Sequence, residues 1–232
     1  MKTNYLKWLS FSCAIWLVVC GCSRMESEHK DVPKVPESFQ FMDIGANTVI
    51  DSGVRDRLRE ALGPGAVDPH STIDLELKYK GFLKTYYPEL ARVNQRLNIN
   101  DVVRKEYPAT RLTFRNARQR DSVFDYVEVI YDDESGCPLL IKTIAKREIP
   151  GLIRPLEDKY GEPDKISISQ GKSWSLSWRK NGDVFVIARI MGRYDLPEHH
   201  MMILYLNRLE QMLSRLTGDE TREERPAGDA FL

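Results

Sequence analysis

Cysteine is scarce in this sequence, and its placement excludes more than its number does. Cys13, Cys20 and Cys22 crowd the first 22 residues, so the rest of the chain holds Cys137 alone. An intramolecular disulfide is therefore excluded there, and the folded part must rely on an apolar core. Histidine is equally sparse, with His29, His70, His199 and His200 as the only candidate imidazole bases for a serine or cysteine hydrolase. Charge of one sign is lacking too: 34 basic residues face 34 acidic ones. That balance argues against nucleic acid as a partner, because phosphate neutralisation needs a basic field. Long apolar runs are missing as well. A membrane-crossing helix needs about 20 predominantly apolar residues, whereas the longest run, Trp8 to Val19, has Lys7 in front of it and polar residues after Cys22. No internal repeat is evident.

What the first 22 residues do contain is ordered. Met1, Lys2 and Lys7 make a basic start, Trp8 to Val19 an apolar core, and Val19, Cys20, Gly21 and Cys22 close the segment. This is the layout of a secretory signal. It resembles a bacterial lipoprotein signal peptide, with Val19 at −3, Cys20 at −2, Gly21 at −1 and Cys22 at +1 of the cleavage box. The resemblance implies removal of residues 1–21, a thioether-linked diacylglycerol on Cys22, and usually a third acyl chain on its amine. Several acyl chains hold a protein on a bilayer far more firmly than one, at roughly 0.8 kcal/mol per buried methylene. Ser23, in place of Asp, implies the periplasmic face of the outer membrane. Processing would remove Lys2 and Lys7 and no acid, leaving attachment to the lipid and not to a polybasic patch.

The remainder reads as one domain. Residues 22–38 are rich in charge and proline and are expected to be an acylated, flexible tether. Phe39 to Ile50 suggests an opening strand or docking segment. Asp51 or Ser52 offers an N-cap for a helix with Val54, Leu58, Ala61 and Leu62 on one face, stopped by Gly63 and Pro64. The alternation of Ile73, Leu75 and Leu77 predicts a half-buried strand. A helix follows from Pro88 to Leu97, with Phe82 and Tyr86 extending its spacing backwards, and residues 51–100 read as a helical cap on a sheet. Arg111 to Phe114 begins the sheet. Val123 to Tyr131 and Leu139 to Thr143 form a hairpin around the turn at Asp132 to Gly136. Ile149 to Tyr160 predicts a helix with Pro150 in its first turn and Gly161 as its stop. Trp174, Leu176 and Trp178 alternate with serines, and Asn181-Gly182 turns that strand into one carrying Val184 to Ile190. Met201 to Leu206 is expected to be a strand, buried on both faces or leading into a last helix, and that helix carries Leu206, Leu209, Leu213 and Leu216 toward the core. The fold class is therefore α+β: a single compact domain over residues 39–216, with an antiparallel sheet and helices packed on one face, followed by a disordered tail over 217–232.

Searching this frame for chemistry yields no catalytic, cofactor or metal motif. Gly171, Lys172 and Ser173 resemble the end of a phosphate loop, but the first glycine it requires would fall on Ile166. An EF-hand with Gly136 sixth would start at Tyr131 and end at Lys142, neither a carboxylate, so Asp132 to Gly136 reads as a solvated turn. His199 and His200, beside Glu198, would point to opposite faces of a strand and make a poor shared metal site. Cys137 reads as a small, partly buried residue and not as a nucleophile. Trp174 and Trp178 share a strand face and read as core before sugar platform. Arg111, Arg115, Arg118 and Arg120 form the densest basic cluster, suited to lipid headgroups or anionic glycans, but Asp121 and Asp125 beside them favour a solvated strand and loop.

The expectation is a membrane-anchored envelope lipoprotein without catalytic activity. It would bind or scaffold an envelope protein or peptidoglycan, through a sheet edge, the helices around residues 54–97 or the tail. An envelope hydrolase acting on lipid, glycan or peptide would require a cleft joining Cys137 or a serine to histidine. A small-ligand sensor would require a cavity between sheet and helices.

Overall fold

In a computed structural model, residues 33–77, 81–98, 104–116, 123–145, 147–149, 151–168, 171–192 and 196–223 are described. Residues 1–32, which include Cys22, His29 and the segment expected to be a signal peptide, lie outside them, as do Pro150, Arg118, Arg120, Asp121 and residues 224–232. The strands are β1 (Gly65–Asp68), β2 (Ala109–Arg115), β3 (Phe124–Asp132), β4 (Pro138–Ala145), β5 (Asp164–Ile168), β6 (Ser173–Lys180), β7 (Asp183–Met191) and β8 (Pro197–Leu204). They form one antiparallel sheet in the order β1-β2-β3-β4-β8-β7-β6-β5. The α+β class, the antiparallel sheet and the single domain are thus as expected.

The helices are α1 (Ser52–Leu62), α2 (Phe82–Tyr86), α3 (Pro88–Arg96), α4 (Ile153–Tyr160) and α5 (Leu206–Glu223). The order of a helix followed by four antiparallel strands occurs twice, from α1 to β4 and from α4 to β8, with α2 and α3 inserted after β1. The helices that open the two units end alike. Gly63 (φ 81°, ψ −171°) and Gly161 (φ 86°, ψ −176°) each donate their N–H to the carbonyl four residues back, at 2.8 Å. Glycine takes this left-handed φ without steric cost. The two units meet where β4 pairs with β8, from Leu140 opposite Leu204 to Ala145 opposite His199.

Both faces of the sheet are covered. Val54, Leu58 and Leu62 of α1, with α4 and the segment around Phe39 and Ile44, pack on Val129, Ile141, Phe185 and Ile203. On the opposite face Phe82, Leu90, Leu209 and Met212 pack on Ile130, Leu140, Val186 and Leu204. Helices therefore occupy both faces, where sequence periodicity placed them on one. Each amphipathic stripe shows only that a helix needs a partner, not which side of a sheet supplies it. The serines of β6 follow the same logic: Ser175 is fully buried and its hydroxyl meets Tyr87 Oη at 2.6 Å, because α2 and α3 cover the face that alternation had left to solvent.

Residues 73–77 differ from expectation in an instructive way. Ile73, Leu75 and Leu77 are buried in alternation, but the segment joins no strand of the sheet. Side chains satisfy its backbone instead. Asn94 Oδ1 accepts the Leu75 N–H at 2.8 Å, Asn98 Nδ2 donates to the Ile73 carbonyl at 3.2 Å, and Lys142 Nζ donates to the carbonyls of Asp74 and, at 2.9 Å, Glu76. Buried main-chain groups must be paired, and any donor of suitable reach will serve.

The domain begins before residue 39. Val35 and Ser38 are buried, and Arg208 of α5 donates to the carbonyls of Ala46 and Pro33, both at 2.9 Å. The last residues of the expected tether are thus docked. At the other end α5 runs to Glu223, into the segment expected to be a tail. Within this docking region Asp183 is fully buried and accepts the Ser38 hydroxyl at 2.5 Å. Burial raises its carboxyl above the ordinary 3.8, against the opposing hydrogen bonds from Ser38 and Asn207. A carboxyl raised on folding contributes stability below its unfolded value and loses that contribution as pH rises through its folded value. The protein should therefore gain stability relative to Asp183→Asn as pH falls through the raised folded value toward 3.8. Urea unfolding of both proteins across that range tests this, and a pH-independent difference would contradict it.

Candidate functional site

The charged residues that sequence reading left scattered are gathered by strand register. β2 pairs with β3, β3 with β4 and β4 with β8 so that Arg115, Tyr126, Ile144 and His200 lie in one cross-strand row. Thr113, Glu128, Lys142 and Met202 form the adjacent row. Both rows face the side that carries α2, α3 and α5, beyond the part of the sheet that those helices cover. A register shift in β3 between Phe124 and Tyr126 marks a β-bulge there, a device that re-aims side chains at sites. The result is a cleft of about 570 Å³ whose lining includes Asp125, Tyr126, Glu128, Lys142 and His200. That size is typical of small-molecule pockets.

Its floor is a network. Glu128, 9% exposed, lies directly opposite Lys142. Its carboxylate accepts the Tyr126 hydroxyl and lies 3.8 Å from Arg111 Nε. Burial, reinforced by Glu128, pushes the Tyr126 phenol up to about 12. Burial also pulls the Lys142 ammonium below the ordinary 10.5, against the attraction of Glu128 and Asp74. Lys142 is thereby a strut, joining the sheet to the carbonyls of residues 74 and 76. At the β8 side, His200 is buried and its Nε2 lies 3.1 Å from Glu198 Oε2. At the β2 side, the Arg115 guanidinium sits 5.3 Å from the centre of the Tyr126 ring.

The residues singled out from sequence fall in different places. Arg111 and Arg115 both reach the cleft face, but Arg111 is committed to Thr72, donating to its carbonyl and to Oγ1 at 3.1 Å. His199 and His200 do point to opposite faces: His200 enters the cleft, while His199 borders a small pocket beside Trp174 on the other side. Cys137 is 2% exposed in the β3–β4 turn, away from the cleft, and burial raises its thiol. Trp178 is core, stacked on Phe185 at 5.5 Å with its indole N–H donating to the Gly161 carbonyl at 2.8 Å; Trp174 is half-buried against the same cluster. Asp132, expected in a solvated turn, is instead buried and accepts the Ser135 N–H at 3.0 Å and Arg215 Nη2 at 2.6 Å. Lys172 and Ser173 form no phosphate cradle: Ser173 is buried and accepts the Met191 N–H at 3.2 Å.

Sequence reasoning missed Tyr126, Glu128 and Lys142. The available signal was charge at strand positions two residues from Ile130 and Leu140, which face the core. A charged residue at such a position is expensive unless it is paired. Among the described residues no cluster of three or more His, Cys, Asp or Glu is placed to hold a metal ion, and no helix is long and apolar enough to cross a membrane. Compared with known proteins, the chain matches no family model, no curated protein and no solved structure.

Proposed function

We propose that this chain is an exported envelope lipoprotein, anchored through acylated Cys22, that binds an envelope component in the sheet cleft without transforming it. The observation that carries the binding half is the cleft itself: a concave, mixed-charge surface on whose floor the Tyr126 hydroxyl is held by Glu128 and the Lys142 ammonium by the carbonyls of Asp74 and Glu76. Preorganised polar groups in a concave site favour recognition because little ordering remains to be done on binding. A hydrolase reading has less support, since Cys137 is buried in the β3–β4 turn, away from the cleft that His200 lines. The anchoring half rests on the signal segment alone.

Two measurements test the two halves. Cys22→Ser should move the protein from the membrane pellet to the soluble exported fraction, and mass spectrometry should find acyl chains on residue 22 of the unaltered protein. An unmodified thiol on a membrane-bound product would sink the anchor. A photoreactive residue replacing Ile144, on the cleft floor, should crosslink an envelope component that the same residue at Val67, on the outer strand β1, does not capture. No adduct at position 144 would sink the binding site.

A further inference from the structure

A second site lies on the opposite face of the sheet, where the start of α4 meets β6, β7 and β8. Strand register sets Trp174, Arg189 and His199 side by side in one cross-strand row, and each is half-buried. Trp174 and His199, the two ends of the row, border a small apolar pocket with Leu152, Ile153, Ile187 and Met201. Its volume is about 30 Å³, room for one methyl group.

Trp174 and Trp178 share this face, but their polar ends differ. The Trp178 indole N–H donates to the Gly161 carbonyl, whereas among the described residues the Trp174 indole N–H meets no acceptor. A half-buried indole with an open N–H offers an apolar face beside a donor, and a sugar ring matches both through its C–H face and its hydroxyls. Arg189 Nη1 donates to the Lys172 carbonyl, which keeps the guanidinium on the β6 side of the row. Among the described residues no carboxylate forms a salt bridge with it, so the rest of its planar fork is open to a ligand carboxylate. Burial holds the His199 imidazole below the ordinary 6.5, against the attraction of Glu148. At neutral pH it therefore presents one donor and one acceptor nitrogen, which suits hydroxyls. Glu148 is the one carboxylate among the residues lining the pocket, and it is exposed there. It acts on His199 more strongly than Arg189 does, so it belongs to the imidazole end of the row and serves as an acceptor for a hydroxyl or amide N–H. We infer that this row binds a carboxylated, N-acetylated sugar, with its ring on Trp174, its carboxylate on Arg189, its hydroxyls against His199 and Glu148, and its acetyl methyl in the pocket. The site lies across the sheet from the cleft and stands or falls apart from it.

Saturation-transfer NMR titration of the full-length protein, in micelles of a detergent without sugar headgroups, tests this. N-acetylmuramic acid is the probe, and N-acetylglucosamine, the same ring without the lactyl carboxylate, is its control. The probe should bind about 10-fold more tightly, the effect of one charge-assisted contact, and its acetyl methyl should receive the strongest saturation. Arg189→Gln should bring the probe down to the control and leave the control unchanged, which also shows that the variant is folded. Trp174→Phe should weaken both sugars, and Arg115→Gln, across the sheet, should alter neither. Glycan strands stripped of peptide, added as competitor, identify the source of the sugar. Displacement at a lower concentration of sugar units than the free probe requires assigns the site to the polymer, and the reverse assigns it to the free sugar; either result supports the inference. Equal binding of the two sugars, binding of neither, or a loss that follows Arg115 instead of Arg189 would overturn it.

Discussion

Replacing Arg208 by methionine should lower the unfolding free energy by about 3 to 5 kcal/mol, the cost of removing one partner from a buried charged network. Arg208 is 3% exposed. Its guanidinium donates to the carbonyls of Ala46 and Pro33, to Asn47 Oδ1, and at 3.0 Å to Gln211 Oε1. Methionine fills a similar volume but donates nothing, so carbonyls buried by the docked N-terminal segment would lose their partners. Asn47, which holds Val35 through both its N–H and its carbonyl, at 3.0 and 2.8 Å, would lose its own anchor to α5. The urea midpoint should fall with the slope unchanged, and protease sites within residues 33–47 should open before the sheet unfolds. Arg208→Lys keeps the charge and loses the fork, so it should fall between the two. A methionine variant within about 1 kcal/mol of the parent would show that the segment is held by apolar contacts such as Phe39 alone.

Glu128→Leu should be destabilising by about 3 kcal/mol, because Lys142 and Arg111 would then share an enclosed site without the carboxylate between them. Adding Lys142→Met should recover part of that loss, although the carbonyls of Asp74 and Glu76 also lose a donor. The coupling between the two changes, read from a double-mutant cycle, should be large compared with the few tenths expected for independent sites. The phenol reports the same network by ultraviolet titration. Without Glu128 the Tyr126 ionisation should fall from about 12 but stay above 10.0, since burial is the larger cause of its shift. Additive stabilities with an unmoved phenol would mean that Glu128 does not organise the cleft floor.

These two networks differ in how visible they are from sequence. Local devices were readable: Asp51 caps α1 by accepting the Val54 N–H at 2.8 Å, and Asn181-Gly182, both at positive φ, turns β6 into β7. The β3–β4 hairpin and α5 followed from their own periodicities in the same way. Elements without a period of their own were not readable. β1 is four exposed residues and β5 is an outer strand with a single buried side chain, so neither displays the alternation that a half-buried strand shows. α4 begins at Ile153 and not at Ile149, because Gly151 takes a φ of 73° that no helical residue adopts.

Sequence by itself thus determined the class of the fold, the capped helix and the tight turns, because each depends on residues within a few positions of one another. The tertiary structure decided which sheet face each helix covers, that residues 33–38 dock, and that Arg115, Glu128, Lys142 and His200 share one surface. Those residues come from four strands spread along the chain, and a shift of one residue in the pairing of any strand would turn its contribution to the opposite face. Register is a property of the packed whole, set by what both faces bury, and no short stretch of sequence contains it.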